Sequence, residues 1–119
     1  GVAETFHAAP GGRTEGDKMP LSKTYSKDKS RCKVVFSLPE GAAGGARKLF
    51  LAGEFNDWNP TGLPLRKAKG VFSASLELPA GSPYQYRFIT DTGVWLNDTE
   101  ADCYVYSAFA DADNSVVVL

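Results

Sequence analysis

Histidine is nearly missing from this chain, the single one being His7. Neither a Ser-His-Asp nor a Cys-His arrangement can be assembled around one imidazole in the leading segment. Only two cysteines occur, Cys32 and Cys103, so there is no Cys/His spacing for a metal site, and no phosphate loop is present. Long apolar runs are also absent. No stretch is long enough to span a bilayer, and the first 18 residues lack the apolar segment of a secretory signal. A large charge of one sign is missing too: the net charge is −1, without the basic patch that nucleic-acid binders usually carry. The expectations are therefore no cofactor, no nucleic acid, no membrane and a cytoplasmic setting. In that setting the two thiols stay free, because a chain that is 43% hydrophobic over 119 residues has core enough to fold without a staple.

What the chain does have is a change of texture near Arg31. Residues 1–30 are rich in Gly, Ser, Lys, Pro and Asp without a sustained period, and read as a flexible leader. Met19 is the only methionine and stands where a shorter natural chain would start, which would put residues 1–18 upstream of it. From Arg31 to Leu119 the period is two, the mark of strands with one face inward. Cys32, Val34, Phe36 and Leu38 share one face. Arg47–Gly53 follows with Leu49 and Leu51 inward, then a short strand over Leu63–Arg66. Phe72, Ala74, Leu76 and Leu78 alternate with polar neighbours. Ser82–Thr90 places Tyr84, Tyr86 and Phe88 on one face and Gln85, Arg87 and Ile89 on the other, and Ser115–Leu119 closes the chain. No segment has a helical stripe. Short strands separated by turn residues predict an all-β, antiparallel β-sandwich in a single domain over residues 31–119.

Two tryptophans stand out because both lie among turn formers: Trp58 in Glu54-Phe55-Asn56-Asp57-Trp58-Asn59-Pro60, and Trp95 in Asp91-Thr92-Gly93-Val94-Trp95. An indole in a polar turn is placed at the surface, where its flat face is open to a partly apolar ligand; the alternative is partial burial against the sandwich edge. A sugar ring, with one C–H face and a rim of hydroxyls, is the ligand such a platform suits. Arg87 would offer fixed donors to those hydroxyls, and Asn114 a donor and an acceptor. Glu54 and Asp57 imitate a glycosidase carboxylate pair, but a solvated turn edge explains them better. The acidic stretch from Asp98 to Asp113 suggests calcium by composition, yet its spacing matches no EF-hand and reads as a solvated loop.

Several ordered motifs resemble one family. Leu51-Ala52-Gly53-Glu54-Phe55-Asn56-Asp57-Trp58, Gly70-Val71-Phe72, Leu76-Glu77-Leu78-Pro79-Ala80-Gly81, Tyr84-Gln85-Tyr86-Arg87-Phe88 and Asn114-Ser115-Val116-Val117-Val118 look like carbohydrate-binding module family 48. That family includes the isoamylase early-set domain and the glycogen-binding domain of the AMP-activated protein kinase beta subunit. The resemblance covers about Arg31 to Leu119. It implies an immunoglobulin-like sandwich of the early-set type and non-catalytic binding of α-1,4-linked glucan, polysaccharide or oligosaccharide. The sugar-binding roles it implies fall on Trp58, Arg87, Trp95 and Asn114. The chain departs from the family pattern in having Arg87 in place of a Lys and one extra residue in the turn before Trp95. It also offers only Phe109 or Tyr106 where relatives use a Leu that threads the ligand ring. Two alternatives accompany this reading: a docking module that has lost sugar binding and holds a protein partner, and a fragment of a larger α-glucan enzyme.

Overall fold

A computed structural model describes Phe6–His7 and residues 21–119. The elements are almost all strands: β1 (Phe6–His7), β2 (Ser22–Tyr25), β3 (Arg31–Pro39), β4 (Leu49–Gly53), β5 (Arg66–Ala68), β6 (Val71–Pro79), β7 (Pro83–Thr90), β8 (Trp95–Leu96), β9 (Cys103–Ser107) and β10 (Ala112–Val118). Two single turns of 3-10 helix, Glu40–Ala43 and Glu54–Asn56, are the helical elements of the described residues. One sheet runs β2-β3-β6-β5. The other runs β1-β9-β10-β7-β4, with β8 also on β7, and every pairing is antiparallel. The expected all-β sandwich is the fold.

Alternation explains the core. In β3 the inward set Cys32, Val34, Phe36 and Leu38 is at most 1% exposed, while Arg31 and Lys33 face water. From the opposite sheet come Leu49, Leu51, Tyr86, Phe88, Tyr104 and Val117. Phe36 and Tyr86 meet edge to face with centroids 4.9 Å apart, and Tyr86 meets Phe88 the same way at 6.0 Å. Such pairs add about 0.5–1.5 kcal/mol beyond the area they bury. Tyr86 also carries its hydroxyl inward and donates it to Asp98 at 2.7 Å, so a polar tip is satisfied inside an apolar layer. The free edge of β4 is covered by its own chain. The Leu51 amide donates to Leu63 at 2.8 Å and the Leu65 amide to Leu49 at 2.9 Å, which removes a ladder that other chains could join.

The structure differs from the sequence reading in several places. The sheet begins earlier than Arg31: Ser22–Tyr25 pairs along β3, and Lys23 donates to Asp102 at 2.7 Å, so part of the segment read as leader is a sheet edge. Apart from Phe6–His7, the expectation for residues 1–18 lies outside the described residues. The short strand expected at Leu63–Arg66 starts at Arg66, because Leu63 and Leu65 spend their backbone groups on β4. The acidic stretch is not a solvated loop. It contains β9, and Asp98 and Glu100 are 2% and 8% exposed. Asp98 closes a turn onto the Glu100 amide at 2.8 Å besides accepting from Tyr86, a role its composition hides. Both cysteines are free, Cys32 buried and Cys103 partly so. Burial pushes the Cys103 thiol up, and the nearby Asp102 charge adds to that.

Candidate functional site

The outer face of the second sheet carries the site. Alternation in β7 sends Gln85 and Arg87 to that face, opposite Tyr86 and Phe88. Asn114 in β10 stands one residue before Ser115, which pairs with Tyr86. β8 pairs Trp95 with Ile89 on the same side of β7, just beyond the end of the β10 pairing. The turn that returns the chain from β7 to β8 is built from Thr90 and Gly93. The Thr90 amide donates to Val94 at 2.9 Å, the Thr90 hydroxyl accepts from the Val94 amide at 3.0 Å, and Gly93 takes φ +86° without a Cβ penalty. Trp95 is delivered 43% exposed.

Trp58 arrives from the other edge. At the end of β4 the Asn56 side chain clamps its own turn, accepting from the Gly53 amide at 3.0 Å and donating to the Leu51 carbonyl at 3.0 Å. Gly53 is extended, so its requirement is not backbone freedom. An added Cβ there would stand 2.5 Å from the Gln85 carbonyl oxygen and 2.8 Å from the Phe55 ring. After the clamp, Asp57 and Trp58 both take left-handed conformations, with φ +54° and +58°. For a side chain as large as Trp that conformation is strained by about 1–2 kcal/mol. The Trp58 amide donates to Gly53 at 2.9 Å and holds the strained turn in place.

The two indoles meet with centroids 6.4 Å apart and planes inclined at 46°. They border a hollow of about 720 Å³ that Arg87, Asn114, Gln85, Glu54 and Phe109 also line. The four residues singled out in the sequence, Trp58, Arg87, Trp95 and Asn114, therefore lie around one hollow. Arg87, expected on the non-core face, is there but buried, at 8% exposure. Burial lowers its pKa, and the charge of Asp113 raises it part of the way back. Its Nε donates to Asn114 Oδ1 at 2.7 Å, while its Nη2 is buried without a partner among the described residues. Nη2 is closed to solvent, but the residue borders the hollow and a guanidinium only donates, so Arg87 is chemically a donor for a ligand oxygen there.

Gln85 and Phe109 complete the hollow. The Gln85 side chain accepts from Asn114 Nδ2 at 2.9 Å, and the Gln85 amide donates to Glu54 Oε1 at 2.7 Å. The signal for Gln85 was the alternation that puts it beside Arg87. Phe109 is fully exposed on the turn between β9 and β10, which the Tyr106 hydroxyl clasps by donating to Asp111. Of the two aromatics weighed for the threading role, Phe109 lines the hollow and Tyr106 does not. The Glu54–Asp57 pair is not assembled: Glu54 is tied to Gln85 and Asp57 does not line the hollow. Among the described residues, no group of three or more His, Cys, Asp or Glu could hold a metal ion, and no helix is long and apolar enough to cross a membrane.

Comparison with known proteins gives the following matches. The family model for the glycogen recognition site of AMP-activated protein kinase matches residues 42–117. The 5'-AMP-activated protein kinase subunit beta-1 of Sus scrofa is 42% identical over 55 residues, which is 46% of this chain and 42% of that sequence. The subunits beta-1 of Rattus norvegicus and Homo sapiens are equally similar over 55 residues, in each case 19% of their length. The match spans less than half the length of these curated relatives.

Proposed function

This chain belongs to the family of the AMP-activated protein kinase glycogen recognition site, and on that premise we propose that its hollow binds α-1,4-linked glucan, glycogen-like or starch-like, without reacting with it. The observation that carries the reading is Arg87: a largely buried guanidinium that lines one hollow together with two inclined indoles. Each indole stacks on the C–H face of a glucose ring. Planes 46° apart suit successive rings that turn relative to one another, as in a curved α-linked chain, better than the flat ribbon of a β-linked one. Arg87 donates a guanidinium N–H to a hydroxyl at the ring's rim. Asn114, with its oxygen engaged by Arg87 and one N–H by Gln85, adds its second N–H. Phe109 extends the apolar border. Of the described residues that line the hollow, Glu54 is the one carboxylate and it is held by the Gln85 amide, which supports binding without catalysis. We place the protein in the cytoplasm, which two free thiols support.

The test is a titration of Trp fluorescence with maltoheptaose and, in parallel, with a β-linked glucan of equal length. A change saturating for maltoheptaose alone is expected, with modest affinity because an open hollow buries little area and a flexible ligand loses entropy when ordered. Arg87→Met is expected to weaken binding while leaving the fold intact. No response to any α-glucan at millimolar concentration refutes the reading. The docking-module reading would then lead, favoured by the exposed apolar group of Trp95, Val94 and Phe109.

A further inference from the structure

We infer that Gln85 is a positioning residue for the Arg87 guanidinium, acting through Asn114, and that it ties this guanidinium to the turn that carries Trp58. The inference deepens the proposed glucan site and rests on that reading for its effect on affinity.

The direction of the two side-chain bonds at Asn114 follows from Arg87. A guanidinium only donates, so the Asn114 oxygen must face Arg87 Nε, as it does at 2.7 Å. That choice turns the Asn114 amide nitrogen the other way, toward Gln85, where it needs an acceptor. Gln85 Oε1 supplies one at 2.9 Å. A flipped Asn114 would set its NH2 against the Nε–H, donor against donor, so the orientation has one solution while both neighbours are in place. Gln85 is itself anchored, since its backbone amide donates to Glu54 Oε1 at 2.7 Å, and Glu54 begins the 3-10 turn that leads to Trp58. The order is therefore Trp58 turn, Glu54, Gln85, Asn114, Arg87. One half-buried glutamine holds the two edges of the hollow in register.

Without the Gln85 oxygen, the Asn114 amide keeps one hold instead of two. Arg87 Nε then loses a fixed acceptor, and the placement of the guanidinium at the wall of the hollow is averaged over more side-chain conformers. Arg87 bears the consequence, so the effect of Gln85 should exist only when Arg87 is present.

The experiment uses Gln85→Met, which keeps length and removes the acceptor, in wild-type and Arg87→Met backgrounds. In the sugar-free protein the Arg87 Nε–H resonance is followed by NMR. It is expected to be protected from exchange in the wild type and to exchange at least about tenfold faster in Gln85→Met, the scale of one lost hydrogen bond. The dissociation constant for maltoheptaose is expected to rise about three- to tenfold in Gln85→Met. In the Arg87→Met background the same change should alter it by less than about twofold. An unchanged Arg87 Nε–H in Gln85→Met overturns the inference. So does a full loss of affinity that persists without Arg87, which would make Gln85 a direct sugar contact. If Nε–H responds as expected but the wild type binds no α-glucan, the sugar reading fails and the positioning role stands. Should Gln85→Met not fold, Gln85→Glu keeps an oxygen for Asn114 Nδ2. It is expected to retain the protected Nε–H, and a folded Gln85→Glu that loses this protection overturns the inference.

Discussion

Replacing Gly53 by alanine tests whether the Trp58 turn is pressed against β7. Gly53 has φ −171°, an extended conformation that alanine adopts readily, so the perturbation is purely steric. The new methyl would lie 2.5 Å from the Gln85 carbonyl oxygen and 2.8–2.9 Å from the Phe55 ring. The ring can swing away, but the carbonyl belongs to the strand next to β4 and cannot move without its ladder. Relief must come from separating β4 from β7 at this point, a backbone shift of the kind that costs about 1–3 kcal/mol. At roughly 4 °C per kcal/mol for a domain of this size, the melting midpoint should fall by about 4–12 °C. Maltoheptaose affinity should fall as well, because the shifted segment carries Trp58. Gly41→Ala is the control, since a Cβ there meets nothing within 4 Å. Phe55→Leu added to Gly53→Ala should not restore the midpoint, because the carbonyl obstacle remains. Differential scanning calorimetry reads both effects. A Gly53→Ala midpoint within 2 °C or so of wild type, or full rescue by Phe55→Leu, would refute the steric account.

Two further outcomes follow from other residues. Trp58 stands at φ +58°, so Trp58→Gly should be about 1 kcal/mol more stable than Trp58→Ala in urea unfolding; both should lose about 1–3 kcal/mol of glucan binding, by analogy with base stacking on aromatics, and equal stability of the two would show that the conformation is not strained. Tyr86 has its pKa raised well above 10 by burial first and then by the Asp98 charge, so the folded state keeps the phenol proton where the unfolded state releases it. Stability is complete below pH 10 and declines as pH rises above it. Tyr86→Phe should flatten that decline in thermal melts between pH 8 and 11 while lowering stability at pH 8 by about 1–3 kcal/mol through the lost bond to Asp98; an unchanged alkaline slope would exclude Tyr86 as its source.

Much of the fold was legible along the chain. A strand buries alternate residues, so Cys32, Val34, Phe36 and Leu38 announced the inward face of β3 before any partner was known, and Phe72 and Leu78 did the same for β6. Turn chemistry marked where Trp58 and Trp95 leave the strands. β9 was missed because the short run Cys103-Tyr104-Val105-Tyr106 is flanked on both sides by acids and small residues, and the stretch as a whole has the composition of a solvated loop. Asp98 is buried there for a reason located elsewhere, the hydroxyl of Tyr86 in another strand.

The sequence by itself determined which residues turn inward, where the chain reverses, and that two indoles, a guanidinium and an asparagine are available on polar segments. These are local properties, set by the two-residue repeat and by backbone preferences within a few positions. Only the tertiary structure decided that Trp58 and Trp95, 37 positions apart in the sequence, meet at 6.4 Å with planes 46° apart. It also decided that Arg87 is buried rather than solvated, and that Gln85 reaches Asn114 while its amide holds Glu54. Each of these depends on which strands become neighbours and in what register. Pairing β7 with both β4 and β10 brings distant side chains onto one surface, and a buried donor then takes whatever acceptor that surface presents.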